Sequence, residues 1–260
     1  MPAEHLTEFE QYIHDHALAK DVEHVYKFRT VDSGLRIINE GKLYFGTPLG
    51  FNDPFDCQLT VNTSGTLADV TKHLNKASPE RPRAERRRMG KALLKDPDAT
   101  YFRVNMSLHE VMGETGMCCF CRTWEPILIW SYYANDHKGI VLGFDPSMDR
   151  LFDTRMNVKY EDDYPAEQYW TRKEDMMLRI ITTKYKLWEH EQEVRVIHSS
   201  PGPKSYRIEA LREVIFGCRC EDQKLVMDAC KAKGLSHVKF YQAKKIPFKF
   251  ALERIEMSQS

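Results

Sequence analysis

No stretch of this chain approaches the ~18–20 consecutive apolar residues that a membrane-spanning helix needs, so neither a span nor a membrane partner is expected. Net charge is missing too. Lys plus Arg and Asp plus Glu stand at 38 each, so no overall field advertises nucleic acid or an anionic surface. There is no G-x-G-x-x-G and no Walker loop, two signatures of phosphate cradling, and no internal repeat. The opening Met1-Pro-Ala-Glu-His-Leu-Thr-Glu lacks an apolar h-region, from which a cytoplasmic protein is expected. Seven cysteines are an odd number for a disulfide framework and suit a reducing compartment better.

What the chain does hold is core. Apolar residues make up 42% of its 260 positions, with 13 Phe, 12 Tyr and 4 Trp, enough for a substantial core in one large domain or two small ones. Periodicity predicts an amphipathic helix over 5–19 through Leu6, Phe9, Tyr12, Ile13 and Leu18. A strand at His24–Thr30 follows, then a capped helix closing on Gly41, then a strand at Lys42–Pro48. Residues 62–98 read as a helical, charge-rich insertion, with helices near 66–76 and 83–95 around a Pro-rich break. The centre predicts a buried strand through Cys118-Cys119-Phe120-Cys121, a short aromatic helix opened by Pro126 and a second buried strand at 140–145. Later come a strand at Met156–Glu161, a long helix from about Glu167 to Tyr185, a helix over Asp222–Lys233 closed by Gly234, and strands at 237–242 and 248–255. Strands without regular βα alternation argue an α+β fold with mixed or antiparallel sheets and flanking helices.

The chemistry-bearing stretch is Lys184-Tyr-Lys-Leu-Trp188-Glu189-His-Glu191-Gln-Glu193-Val-Arg195-Val-Ile197. If its end is extended, Glu189, Glu191 and Glu193 share one face and Val194 and Val196 the other. Like charges about 7 Å apart along a strand are mutually unfavourable, so one of them is expected to be paired, protonated or exposed. A solvated edge strand is the ordinary alternative. Elsewhere, Phe51-Asn52-Asp53-Pro54-Phe55-Asp56 reads equally as an Asx-turn and as a functional loop. Arg86-Arg-Arg88 suits a solvated helix face more commonly than phosphates. The pairs Cys119/Cys121 and Cys218/Cys220 raise a zinc site or a cysteine nucleophile with His137 or His190. Structural zinc, however, uses C-x₂₋₄-C knuckles, and no metal is expected.

Taken jointly, Tyr26-Lys27-Phe28-Arg29, Leu43-Tyr-Phe, Phe51-Asn-Asp-Pro-Phe-Asp56, Cys119-Phe-Cys121, Trp130-Ser-Tyr-Tyr133-Ala-Asn-Asp-His137 and Trp188-Glu-His-Glu191-Gln-Glu193-Val-Arg195 resemble the bacterial DUF2971 family, which implies a single domain over 1–260. More distantly, the plan resembles the ADP-ribosyltransferase superfamily, whose split β-sheets hold NAD. That family carries a basic or polar residue on a first strand, a small hydroxyl residue opening a central strand, and Glu/Gln-x-Glu on a late strand.

The resemblance implies an NAD-dependent ADP-ribosyltransferase or NAD glycohydrolase, a toxin or defence effector modifying nucleic acid or protein, with an antitoxin or immunity protein as a candidate partner. It implies NAD as substrate, Glu193 and Glu191 as catalytic carboxylates, and Lys27 or Arg29 as the cation gripping NAD. Cys121 stands where Ser is usual, with Trp130, Tyr133, Asn52 and Asp53 around the ligand. Breaking the nicotinamide–ribose bond passes through an oxocarbenium-like state that a nearby carboxylate stabilises, the role expected of Glu193. Glu191 is expected to orient or deprotonate the acceptor, its pKa or that of Glu193 raised by their proximity. Non-catalytic nucleic-acid binding through the arginine run, and cysteine- or metal-dependent hydrolysis, are the alternatives.

Overall fold

A computed structural model describes residues 11–14, 19–57, 61–163, 167–171 and 173–258. The strands, in chain order, are β1 Val25–Arg29, β2 Lys42–Phe45, β3 Val61–Asn62, β4 Gly116–Cys121, β5 Ile140–Phe144, β6 Arg155–Asn157, β7 Lys159–Glu161, β8 Glu167–Gln168, β9 Thr183–Tyr185, β10 Glu193–His198, β11 Gly202–Ser205, β12 Leu211–Phe216, β13 Lys239–Lys245 and β14 Leu252–Met257. The helices are α1 Val31–Glu40, α2 Leu67–Ala77, α3 Arg83–Lys95, α4 Pro97–Glu114, α5 Ile127–Tyr133, α6 Lys173–Thr182 and α7 Gln223–Ala232.

Eight strands form one mixed sheet in the order β14-β13-β12-β5-β1-β4-β10-β6, so the fold is α+β with flanking helices. Its pairs are antiparallel except β12 with β13, which run parallel because α7 carries the chain between them. Strand alternation gives the sheet two apolar faces. On the back, Val25, Phe120, Phe144, Val194 and Val196 pack under Ile37 and Ile38 of α1 and Val226 and Cys230 of α7. On the front lie two separate clusters. Tyr26, Phe28 and Cys121 meet Ile129 and Trp130 of α5, while Met117 and Ile197 meet Met112 of α4 and Met176 and Ile180 of α6.

The eight strands make one continuous sheet rather than the expected split ones, and its weakest join lies between β1 and β4. β1 pairs with β5 over five residues, but with β4 at one registered position, Tyr26 opposite Cys121. Beyond that joint the two strands diverge. The Lys27 ammonium donates to the Cys119 carbonyl across the gap and lies 5.1 Å from the centre of the Phe120 ring. The loop after β2 is tied to the same place, for Gly46 and Met117 exchange backbone bonds of 3.0 and 2.7 Å.

The central strand–helix–strand and the helices near 66–76 and 83–95 lie where the pattern puts them. The insertion, however, runs on through α4 to Glu114, opened by the Asp96 carboxylate accepting from Ala99 N at 3.0 Å with Pro97 in the first turn. The expected strand at Met156–Glu161 is two strands, β6 and β7, in different sheets. The expected helix to Tyr185 stops at Thr182, where Thr183–Tyr185 pairs with β7. Of the helix expected over 5–19, residues 11–14 are helical and most of the rest lies outside the described residues.

Candidate active site

The glutamate stretch is not the alternating strand that its spacing suggests. Lys186–Glu191 is a 3-10 turn closed at Gln192, whose φ of 44° is left-handed, and extended backbone begins at Glu193. The three glutamates therefore do not form a row. Glu189 is exposed, while Glu191 and Glu193 are buried, brought together by the twist at Gln192 rather than by the pleat.

Both converge on Lys184, the middle residue of β9. Its ammonium bonds a carboxylate oxygen of Glu191, lies 3.0 Å from Glu193 Oε2 and 3.6 Å from Asp56 Oδ2, and sits 5.2 Å from the Trp188 ring centre. A second buried cation completes the cluster. Arg195, two residues along the strand from Glu193 and on the same face, donates from Nε to Glu193 Oε1 at 2.9 Å and from Nη2 to Glu193 Oε2 at 3.0 Å. The same Nη2 donates to Asp56 Oδ2 at 2.6 Å, while Nη1 donates to the Ile181 carbonyl at 2.8 Å and to Cys57 Sγ at 3.0 Å. Three buried carboxylates thus share two buried cations, an arrangement that tolerates low dielectric because every charge has a partner.

This changes the expected electrostatics. Burial alone opposes ionisation of Glu193, but Arg195 and then Lys184 more than offset it and hold its pKa at about 2. The carboxylate is a fixed anion, not a proton acceptor, so proximity to Glu191 does not raise the pKa of Glu193. Lys184 is correspondingly held well above the usual lysine value: burial acts against its charge, and Glu193, Glu191 and Asp56 overcome it. Glu191 has a different second partner. Its Oε1 accepts from the Tyr133 hydroxyl at 2.9 Å, and that hydroxyl accepts from Asn52 Nδ2 at 3.4 Å.

A cavity of about 390 Å³ opens at the divergence of β1 and β4. Lys27 and Arg29 line it from β1, Cys119 and Cys121 from β4, Tyr133 from α5 and Asn52 from the loop, with Glu191, Glu193 and Lys184 along one wall. Neither Lys27 nor Arg29 has a carboxylate within 4.0 Å among the described residues. Their bonds go to the Cys119 carbonyl and, at 3.0 Å from Arg29 Nη1, to the Phe28 carbonyl. The cavity lining therefore includes two cations without a carboxylate partner, the complement of a phosphate.

Two expected residues stand elsewhere. Trp130 is fully buried in the core, its indole donating to the Trp124 carbonyl at 2.7 Å, because an aromatic on the inner face of a short helix is claimed by packing. Asp53 does not line the cavity. Its carboxylate accepts from Phe55 N at 2.9 Å, which makes it the Asx-turn of that loop, and the carboxylate that reaches the site from the motif is Asp56.

Cysteine chemistry gains nothing from the geometry. Burial raises the thiol of Cys121 far above its ordinary value, aided by Glu191 and Glu193, whereas a nucleophilic thiol needs the reverse. His137 is stacked on Trp130 and shares a 3.2 Å contact with Ser131 Oγ. Among the described residues no group of three or more His, Cys, Asp or Glu could hold a metal ion. In the arginine run, Arg86 is spent on the α2–α3 connection, donating to Asn75 Oδ1 at 2.8 Å and to the carbonyls of Pro79 and Arg81.

Lys184, Arg195, Asp56 and Tyr160, whose hydroxyl accepts from Glu193 N at 2.8 Å, are the site residues that sequence reasoning passed over. One signal was present. An arginine inside Val-Arg-Val-Ile is buried by its neighbours and must find carboxylates, and Glu193 two residues earlier is the first on its face. No protein-family model, curated protein or solved structure matches this chain.

Proposed function

We propose that the cavity between β1 and β4 binds NAD and cleaves its nicotinamide–ribose bond, with ADP-ribosyl transfer or hydrolysis as the outcome. The likeness to the ADP-ribosyltransferase and DUF2971 families belongs to the same proposal. The observation that carries it is the presence of both kinds of charge in the lining of one opening. Lys27 and Arg29, without carboxylate partners among the described residues, line the same cavity as Glu191 and Glu193.

In this reading the cations take the pyrophosphate. The glycosidic C–N bond breaks with its electron pair leaving on nicotinamide, and positive charge develops on the ribose ring. Glu193, ionised at any physiological pH, faces that charge as a preorganised anion, and Arg195 and Lys184 fix its position. Glu191 then takes the proton of the attacking hydroxyl or water. It is connected through Tyr133 to Asn52 at the rim, so it is the carboxylate with a route to an acceptor.

Incubation with NAD labelled in the nicotinamide ring, followed by chromatography of free nicotinamide, tests this. Nicotinamide release is expected from the wild type, falling about 10²–10³-fold in Glu191→Gln. Tyr133→Phe, which leaves every ion pair in place, is expected to retain NAD binding by calorimetry and lose turnover. No nicotinamide release, together with no NAD binding at millimolar concentration, overturns the proposal.

A further inference from the structure

We infer that the β13–β14 hairpin is a single-stranded nucleic-acid docking element, which stacks bases on Phe248 and Phe250 and pairs phosphates with Lys244, Lys245 and Lys249. The hairpin tip reads Lys244-Lys-Ile-Pro-Phe-Lys-Phe-Ala251, with three lysines and no acidic residue. Both phenylalanines are fully exposed and all three lysines are exposed. None of these lysines has a carboxylate within 4.0 Å among the described residues, although Lys244 stands across the ladder from Glu253.

The display is built in. Ile246 N donates to the Ala251 carbonyl at 3.1 Å and Lys249 N to the Ile246 carbonyl at 3.2 Å, closing a tight turn with Pro247 first and Phe248 second of its central pair. Phe248 has φ 62°, left-handed backbone that glycine adopts readily and a bulky side chain rarely does. A turn of this kind with Pro ahead of it usually takes Gly there. Keeping Phe at that place gives up local comfort to hold a ring in water.

Beside the hairpin lies a second hollow of about 570 Å³, whose walls include Ile246, Phe250, Thr123, His190 and Gln192. His190 and Gln192 flank Glu191 in the chain, so this hollow lies on the turn that carries the buried carboxylates. His190 donates from Nδ1 to the Leu187 carbonyl at 2.9 Å, and its Nε2 is buried with no hydrogen-bond partner. Aromatic faces for unstacked bases, cations for the backbone and a polar-edged recess for one base edge together fit a single strand. A duplex hides the faces that Phe248 and Phe250 would stack on, and a lipid surface has no use for the recess. The inference goes beyond the catalytic proposal and does not rest on it, since binding is measured without NAD.

Fluorescence anisotropy with labelled dT20, rU20 and a 20-base-pair duplex, using the whole chain, is the test. Single strands are expected to bind more tightly than duplex, with log K falling against log salt at a slope of roughly −2 for three phosphate contacts. Phe248→Ala/Phe250→Ala is expected to weaken binding at least tenfold with an unchanged melting temperature. Lys244→Gln/Lys245→Gln/Lys249→Gln is expected to flatten the salt slope. Equal affinity in wild type and both variants overturns the inference. So does binding to phosphatidylserine vesicles, or self-association, that the Phe variant abolishes while no oligonucleotide binds.

Discussion

Replacing Arg195 by methionine keeps most of the side-chain volume and deletes the guanidinium. Asp56, Glu191 and Glu193 are then left with the single ammonium of Lys184, 3.0 Å from Glu193 and 3.6 Å from Asp56. Two carboxylates lose charge-assisted bonds, and the Ile181 carbonyl loses its 2.8 Å donor. Removing one partner of a buried ion pair costs about 3–5 kcal/mol, against a total stability on the order of 5–15 kcal/mol, so the variant is expected to be folded but severely weakened. Its pH dependence separates this account from simple loss of packing. In the variant the carboxylates are under-compensated, their native pKa values rise above the unfolded ones, and the native state binds the extra protons. Stability therefore increases as pH falls from 7 to 5. Urea denaturation at pH 7, 6 and 5, with the slope checked for constancy, measures both quantities. A loss under about 1 kcal/mol, or a variant that weakens as pH falls through that window, would refute the reasoning.

The wild type is expected to behave in the opposite sense. Glu193 titrates at about 2 against an ordinary 4.5, so its contribution is whole above pH 4.5 and drains away below it, on the order of 3 kcal/mol, visible as an acid limb in denaturation midpoints. A flat profile from pH 5 to 3 contradicts the ion-pair geometry. Phe248→Gly is expected to stabilise by about 0.5–1 kcal/mol, because relief of left-handed strain exceeds the added chain entropy. Calorimetric melting that shows a loss would mean the ring is held by contacts rather than displayed.

Periodicity made the central strand–helix–strand and the paired insertion helices legible, since each is decided by neighbours a few residues away. It could not show that Lys184 meets Asp56, because that contact depends on the loop after β2 being tied to Met117. The glutamate row failed for a local reason. Alternation presumes extended backbone, and one left-handed residue, Gln192, reverses the presentation of its neighbours. Trp130 and Asp53 show another limit. An aromatic and a turn-forming aspartate read alike in sequence whether packing, the backbone or a ligand claims them, and here packing and the backbone claim them first.

At the lone Tyr26–Cys121 joint the ladder of the sheet is reduced to one registered pair, braced by Lys27 and backed by the shared core. A guest entering that seam breaks no established ladder, whereas anywhere else in the sheet it would have to unzip one. Binding energy there is available for gripping the visitor rather than for prying the scaffold apart.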